Sequence, residues 1–375
     1  MKFNAVKIKD IGKVVTGCTP STKKREYYDE NKFLFVAPTD IKNKKYIEKT
    51  EKHISNTAYQ DYKGRFIKKN SIVVDCIGSD MGNAAIVTED CLTNQQINAI
   101  CDINIDKYNC EYIYYVLSTM KTFFHKIGSN GSTMPIISKS IFENIAILIP
   151  EKKFQDTIVK ILRAIDNKVL ENTNTNNNLY DIGLSLLNNY FYGIDDKALL
   201  NKVITFVKGK KPKIIKTVKE ETYLKYLTIA GLNGQESNYA DTEKMLIANQ
   251  DLLMVMDGAS SGDIYYSDYG VVGSTLSRLD IIDEEYIKEY IFFCLKKYNS
   301  LIKSKNTGSA IPHTDKVFIG TLEIPKLDKN KQNQFKSLLE KVQENLKENE
   351  ILIKLRDTLL PKLMNGEIDL ENVEI

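Results

Sequence analysis

The chain has 375 residues, with 52 Lys and Arg against 49 Asp and Glu, three His and a formal net charge of +3. Its 42% hydrophobic content excludes a wholly disordered chain, and domains of about 100–200 residues predict two to three of them here. No apolar run approaches the ~18 residues of a membrane span, and the opening MKFNAVKIKDIGK lacks the apolar stretch of a secretion signal, so the expected setting is the cytoplasm with no membrane partner.

In chain order, the first stretch is basic: residues 1–69 hold 17 Lys and Arg against eight Asp and Glu, a local +9. Such a stretch can neutralise phosphates or form a solvated lysine surface. Val14 and Val15, 33–36, 71–77, 84–87 and 145–149 are short β-prone runs bounded by Gly, Pro or polar residues. Gly78-Ser79-Asp80-Met81-Gly82 follows one of them, and its glycines predict a tight turn after a buried strand. Residues 111–127 place Ile113, Val116, Leu117, Met120 and Phe124 at helical spacing and predict one amphipathic helix. Six cysteines, at 18, 76, 91, 101, 110 and 294, form no C-x-x-C pair, and five lie in the first third; free thiols are expected, with no metal site.

A stripe then runs through Phe154, Ile158, Ile161, Ile165, Val169, Asn172, Thr175, Leu179, Ile182 and Leu186 at spacings of three or four. It crosses Glu171-Asn172-Thr173-Asn174-Thr175-Asn176-Asn177-Asn178 in phase, which predicts a continuous helix with a polar core patch. The next basic stretch, 202–225, carries eight lysines against Glu220 and Glu221, a local +6. A second helix matching 111–127 is expected over 286–302. A second stripe follows through Phe335, Leu338, Val342, Leu346, Asn349, Ile353, Leu360 and Leu363. Each stripe is too narrow to bury itself, so the two helices are expected to pair antiparallel and hold two globular units apart.

The chain is internally repeated. Gly17-Cys18-Thr19-Pro20 matches Gly209-Lys210-Lys211-Pro212, and Gly78–Gly82 matches Gly258-Ala259-Ser260-Ser261-Gly262. Gly131-Ser132-Thr133-Met134-Pro135 matches Gly308-Ser309-Ala310-Ile311-Pro312, and Ile147-Leu148-Ile149-Pro150 matches Leu322-Glu323-Ile324-Pro325. The offsets, 192, 180, 177 and 175, drift one way, as loop deletions would make them.

Several chemistries are missing. No Pro-Pro dipeptide occurs, so an Asn-Pro-Pro-Tyr-type methyltransferase site is absent; no P-loop, H-E-x-x-H or G-x-S-x-G motif occurs either. His53, His125 and His313 are far apart in sequence, and no catalytic residue is assigned.

Ordered pieces of the chain resemble the specificity (S) subunit of type I restriction–modification systems. The first unit carries Ile11-Gly12-Lys13-Val14-Val15-Thr16-Gly17-Cys18-Thr19-Pro20-Ser21, Val36-Ala37-Pro38-Thr39-Asp40-Ile41, Asn94-Gln95-Gln96-Ile97-Asn98-Ala99-Ile100 and Gly131-Ser132-Thr133-Met134-Pro135-Ile136. Leu355-Arg356-Asp357-Thr358-Leu359-Leu360-Pro361 to Ile368 resembles the closing segment of that family. The resemblance implies an α+β chain: two β-rich α/β target-recognition domains, 1–150 and 193–327, separated by two long helices packed as an antiparallel coiled coil, 151–192 and 328–375. It implies one half of a split double-stranded DNA target per domain. The partners it implies are two methyltransferase (M) subunits that bring S-adenosylmethionine and methylate adenine N6, and restriction (R) subunits that bring ATP and Mg. The second unit departs from the pattern: Ser274-Thr275-Leu276-Ser277 stands opposite Asn94-Gln95-Gln96-Ile97, and Pro38-Thr39-Asp40 has no clear match. Unequal halves predict an asymmetric target.

The expected phosphate contacts are Lys23, Lys24, Arg25, Lys42, Lys44 and Lys45 in the first unit and Lys208, Lys210, Lys211 and Lys213 in the second. Loop residues Ser132 and Thr133, and Ser309 and His313, are expected to touch DNA from matching positions. Two other classes stay open on residues alone: a divergent methyltransferase or nuclease, and a coiled-coil protein–protein scaffold with two β-rich heads.

Overall fold

A computed structural model describes residues 2–42, 44–78, 81–129, 135–234, 238–308, 311–368 and 370–371. The chain forms two compact units, Met1–Val169 with Glu350–Ile375, and Leu170–Asn349. Both boundaries fall inside long helices, Lys152–Gly193 and Lys329–Met364. Each unit therefore contains a β-rich domain and a part of both helices.

In the first unit, Lys13–Thr16, Ile97–Cys101, Ile72–Asp75, Ala84–Val87 and Tyr46–Ile47 lie side by side in a five-stranded sheet. Ile72–Asp75, Ala84–Val87 and Ile97–Cys101 are buried at every position, as strands covered on both faces must be. Ile72, Val74 and Ile86 meet the helix Cys110–Thr119 on one face, and Val73, Ala85 and Val87 meet Val36 and Ile41 on the other. A three-stranded sheet, Lys52–Ile54, Phe33–Val36 and Cys91–Thr93, adds a smaller apolar cluster. Phe3–Lys7 pairs with Ala146–Pro150, which leads into the first long helix, whose Phe154, Ile158 and Leu162 share a core with Leu363 and Met364. The expected helix over 111–127 is two helices, Cys110–Thr119 and Lys121–Gly128. Met120, at φ −92° and ψ 10°, breaks the ladder between them.

The second unit repeats this plan. Ile204–Lys208, Leu276–Ile281, Leu252–Val255 and Ile264–Tyr266 form a four-stranded sheet against a single helix, Lys288–Ser304. Its second sheet is larger, with five strands centred on Leu224–Leu227. The short helix Ile229–Leu232 follows that strand as Pro38–Ile41 follows Phe33–Val36, so Pro38-Thr39-Asp40 does have a structural match, one without sequence likeness.

The first long helix is continuous through its Asn-rich run, with Asn172 and Asn176 buried. The two helices pair antiparallel within each unit: Asp166 meets Arg356 in the first, and in the second Asn172 meets Asn349 and Asn176 meets Asn345. The buried stripe departs from the expected one. Thr175 is exposed, Ile182 is 54% exposed, and Gly183 and Leu187 are buried instead of Ile182 and Leu186. A helix with 3.6 residues per turn drifts off a strict heptad, and Gly183 admits the Phe293 ring, which a Cβ there would meet at 2.1 Å. On the other helix Asn345 is buried and Leu346 is 45% exposed, a shift of one residue in the opposite direction, with Val342 and Asn349 buried as expected. Among the described residues, no helix is long and apolar enough to cross a membrane.

Candidate nucleic-acid interface

The repeat is visible as matched backbone contacts. Gly17 N–H donates to Ile97 O at 3.1 Å and Gly209 N–H to Leu276 O at 3.0 Å. A Cβ on Gly17 would lie 2.2 Å from Thr93 O, and one on Gly209 2.2 Å from Gly273 O, so each glycine is set by a strand passing close behind it. Gly78 and Gly258 have φ of +91° and +103°, and Gly82 and Gly262 of +89° and +93°; the turn reading holds in both units. Gly78 N–H donates to Pro135 O and Gly258 N–H to Pro312 O, both at 3.0 Å.

These contacts correct two alignments. Cys76 N–H donates to Gln96 O and Met256 N–H to Thr275 O, so Gln95 corresponds to Ser274 and Ile97 to Leu276, one residue from the expected register. Ile8 N–H bonds Ile145 O and Leu200 N–H bonds Leu322 O, while Tyr112 Oη donates to Leu148 O and Tyr290 Oη to Pro325 O. Leu148, not Pro150, is therefore the counterpart of Pro325. A proline was matched to a proline, but strand register decides equivalence.

One buried glutamine in each unit ties the domain to its long helix. Gln155 accepts from Asn109 N at 2.8 Å and donates to Pro150 O at 2.9 Å and Lys107 O at 3.0 Å. Gln332 accepts from Ile287 N at 2.9 Å and donates to Leu327 O at 2.7 Å and Glu285 O at 2.8 Å. Their offset, 177, was available in the sequence, but one glutamine in each half is no signal without the contacts.

Lys23, Lys24 and Arg25 are exposed on the segment after Pro20. Lys24 Nζ donates to Tyr27 Oη at 3.0 Å, and Tyr27 Oη donates to Asp61 at 2.6 Å, which ties the segment down. Arg25 lines an open cleft of about 540 Å³ with Thr19, Thr22, Tyr28, Asp29, Phe35 and Lys52. Arg65 donates to Thr16 O at 3.1 Å and acts against burial on the Cys18 thiol, whose pKa burial raises. Lys52 and Arg65 join this cationic surface only through the fold, and the exposed Gln95 is hydrogen-bonded by Thr19 Oγ1 on the same surface.

Lys42 and Lys44 are exposed, but Lys45 is not. Its ammonium lies 3.0 Å from both Glu111 and Asp166, with its side chain 14% exposed, and it stands 4.3 Å from the Tyr115 ring centroid. Arg163 also pairs with Glu111, and Arg356 with Asp166 at 3.1 Å. Lys45 thus leaves the phosphate set: withdrawing it would strip two half-buried carboxylates of a cation.

In the second unit Lys208, Lys210, Lys211 and Lys213 are all exposed, from the end of a strand into the segment holding Pro212. Lys208 Nζ lies 3.6 Å from Asp257, and His313 Nδ1 lies 2.7 Å from the same carboxylate. Asp257 thus brings together two expected residues 105 apart in sequence, and was itself not singled out. Ser132, Thr133 and Ser309 lie outside the described residues. Among the described residues, no group of three or more His, Cys, Asp or Glu is arranged to hold a metal ion, and all six cysteines are free.

A pair of repeated α/β units, each joined through a buried glutamine to a long helix and each carrying exposed cations, defines a duplicated architecture. Residues 1–179 match the family model of the type I restriction modification DNA specificity domain. The chain is 26% identical to the type I restriction enzyme MjaIX specificity subunit of Methanocaldococcus jannaschii over 418 residues, covering 99% of this chain and 94% of that one. It is 32% identical over 168 residues to the MjaVIII specificity subunit of the same organism, covering 43% and 39% of the two chains. The crystal structure of the type I restriction–modification S subunit from M. genitalium shares the fold, with a TM-score of 0.59 at 17% identity over 97% of this chain and 96% of that one. The chain is thus similar over nearly its whole length to a type I restriction enzyme specificity subunit, and its first half carries the match to the DNA specificity domain.

Proposed function

We propose that this chain reads a split, asymmetric double-stranded DNA target, one half-site per unit, and that the chemistry is carried by its partners. Two M subunits, with S-adenosylmethionine, methylate adenine N6, and R subunits bring ATP and Mg for cleavage. The observation that carries this reading is the duplicated constellation: the same glycine-supported backbone recurs in both units, with different side chains on it. Repeated geometry suits two stretches of one polymer, and differing side chains suit two different sequences. Lys23, Lys24, Arg25, Lys42 and Lys44, and Lys208, Lys210, Lys211 and Lys213, supply phosphate contacts that set position without reading sequence. Its setting is the cytoplasm, where host DNA lies.

Likeness to type I restriction enzyme specificity subunits favours this reading over a divergent methyltransferase or nuclease and over a protein scaffold. Single-molecule sequencing of host DNA with and without the gene tests it. The expected result is a split adenine-methylated motif that disappears on deletion. An unchanged methylome, or methylation by the purified chain alone with S-adenosylmethionine, would count against it.

A further inference from the structure

Two equivalent backbone bridges carry opposite chemistry in the two units. Ile77 faces Ile136 in the first unit, and Asp257 faces His313 in the second. Flanking hydrogen bonds establish the equivalence: Ile137 N–H donates to Cys76 O and Thr314 N–H to Met256 O, both at 2.9 Å, besides the Gly78 and Gly258 bonds already described. The backbone at this position is conserved between the units while the side chains are replaced as a pair. Both outer members are solvent-accessible: Ile136 is 49% exposed, and the His313 side chain is 52% exposed. A role in the fold alone would not call for paired replacement at an exposed site.

The second pair is oriented. Asp257 Oδ1 lies 2.7 Å from His313 Nδ1, and Lys208 Nζ is 3.6 Å from the other carboxylate oxygen. A carboxylate accepts, so His313 Nδ1–H donates to Asp257; in that tautomer Nε2, across the ring, faces outward as the acceptor. Gly308, at φ +88°, lets the backbone pass the ring: a Cβ there would lie 3.1 Å from His313 Cδ2. The bridge stands beside Lys208, the first of the four lysines assigned to phosphates.

We infer that these bridges are the equivalent base-reading positions of the two units. His313, held by Asp257, accepts a hydrogen bond from the exocyclic amine of adenine or cytosine, and Ile136 packs on the 5-methyl group of thymine. This inference rests on the DNA-reading function proposed above.

The test uses the full chain with its methyltransferase subunits and sequences the duplexes bound from a randomised library. In His313→Ala, preference for an amine-bearing base falls by about fivefold or more at one position of one half-site, the lower range for a base contact. Comparing adenine with cytosine at that position identifies the base. In Ile136→Ala, a thymine preference relaxes in the other half-site only. Lys210→Ala serves as control: it lowers affinity for all sequences and leaves the preferred sequence intact. Wild-type preferences at every position in both His313→Ala and Ile136→Ala overturn the inference. So does loss of binding to every duplex by His313→Ala, which marks a phosphate contact or a structural residue. If the wild-type complex enriches no sequence, the DNA-reading function itself fails, an outcome distinct from these.

Discussion

Asn172 Nδ2 donates to Asn349 Oδ1 at 2.9 Å inside the helix pair, with both side chains buried. The two residues lie 177 apart, the offset that relates Gln155 to Gln332, so Asn172 bonds to its own counterpart in the repeat. Asn176 and Asn345, which are not counterparts in the repeat, make a second asparagine layer at 2.8 Å. A buried amide must find a partner, and sliding one helix against the other would leave these without theirs; the layers thereby select a single register.

Asn172→Ala is expected to destabilise the protein by about 1–3 kcal/mol, because it takes away a donor to both Asn349 and Glu348. The double change Asn172→Leu with Asn349→Leu is expected to be neutral or stabilising, since leucines fill core positions without a polar cost, but to lose uniqueness of pairing. Urea unfolding gives the first quantity, and light scattering detects the added oligomers of the second. A double variant that stays uniquely monomeric removes the register role.

Lys45→Met separates a structural lysine from its neighbour. Keeping the apolar stem but removing the charge from Glu111 and Asp166 is expected to destabilise by about 1–3 kcal/mol, whereas Lys44→Ala on the surface changes stability by less than about 0.5 kcal/mol. Chemical denaturation of the two variants decides it. A stable Lys45→Met with a reduced salt slope for DNA binding would return Lys45 to the interface.

The same network makes stability fall with acid. Burial pushes the Asp166 carboxyl up, but the Tyr115 hydroxyl, Lys45 and Arg356 outweigh it and hold the group below its ordinary value. Burial likewise opposes Arg163 and Lys45 at Glu111, and the net shift is again downward. The unfolded chain therefore takes up these protons first as pH drops. The stabilisation is full above the ordinary carboxylate range, near pH ~4, and is lost as pH falls through the lower folded values. Acid titration of stability should be steeper in the wild type than in Lys45→Met, and equal slopes would contradict the coupling.

Gln155→Ala and Gln332→Ala should each destabilise by about 2–4 kcal/mol, because each leaves one N–H and two carbonyls without their side-chain partner. Thermal unfolding of both variants tests the equivalence: a large loss for one and none for the other would mean that the repeat is not used equally.

Replacing Lys210 and Lys211 together by Ala should weaken DNA binding regardless of sequence. Two lost phosphate contacts reduce the slope of log affinity against log salt by about 1.8. Titration of random duplex across a salt series measures it, and an unchanged slope removes both residues from the interface.

The duplication, the two long helices and the turn glycines were legible in the sequence because each is a local pattern: a hydrophobic spacing, or a glycine where a backbone passes within 2.2 Å or φ is positive. The exposure of Lys210 and Lys211 was equally local, since nothing from elsewhere in the described chain covers them. Register and partnership were decided only by the tertiary structure. Whether Leu148 or Pro150 matches Pro325, and whether Gln95 matches Ser274, depends on which strand each faces. Lys45 resembled its neighbours in sequence, and only the fold brought Glu111, Asp166 and Arg356 around it. Asp257 became notable once a bridge placed His313 against it. Composition and periodicity act over a few residues, whereas these pairings join positions from about 20 to 190 apart, and the energy that selects them exists only when the whole core closes.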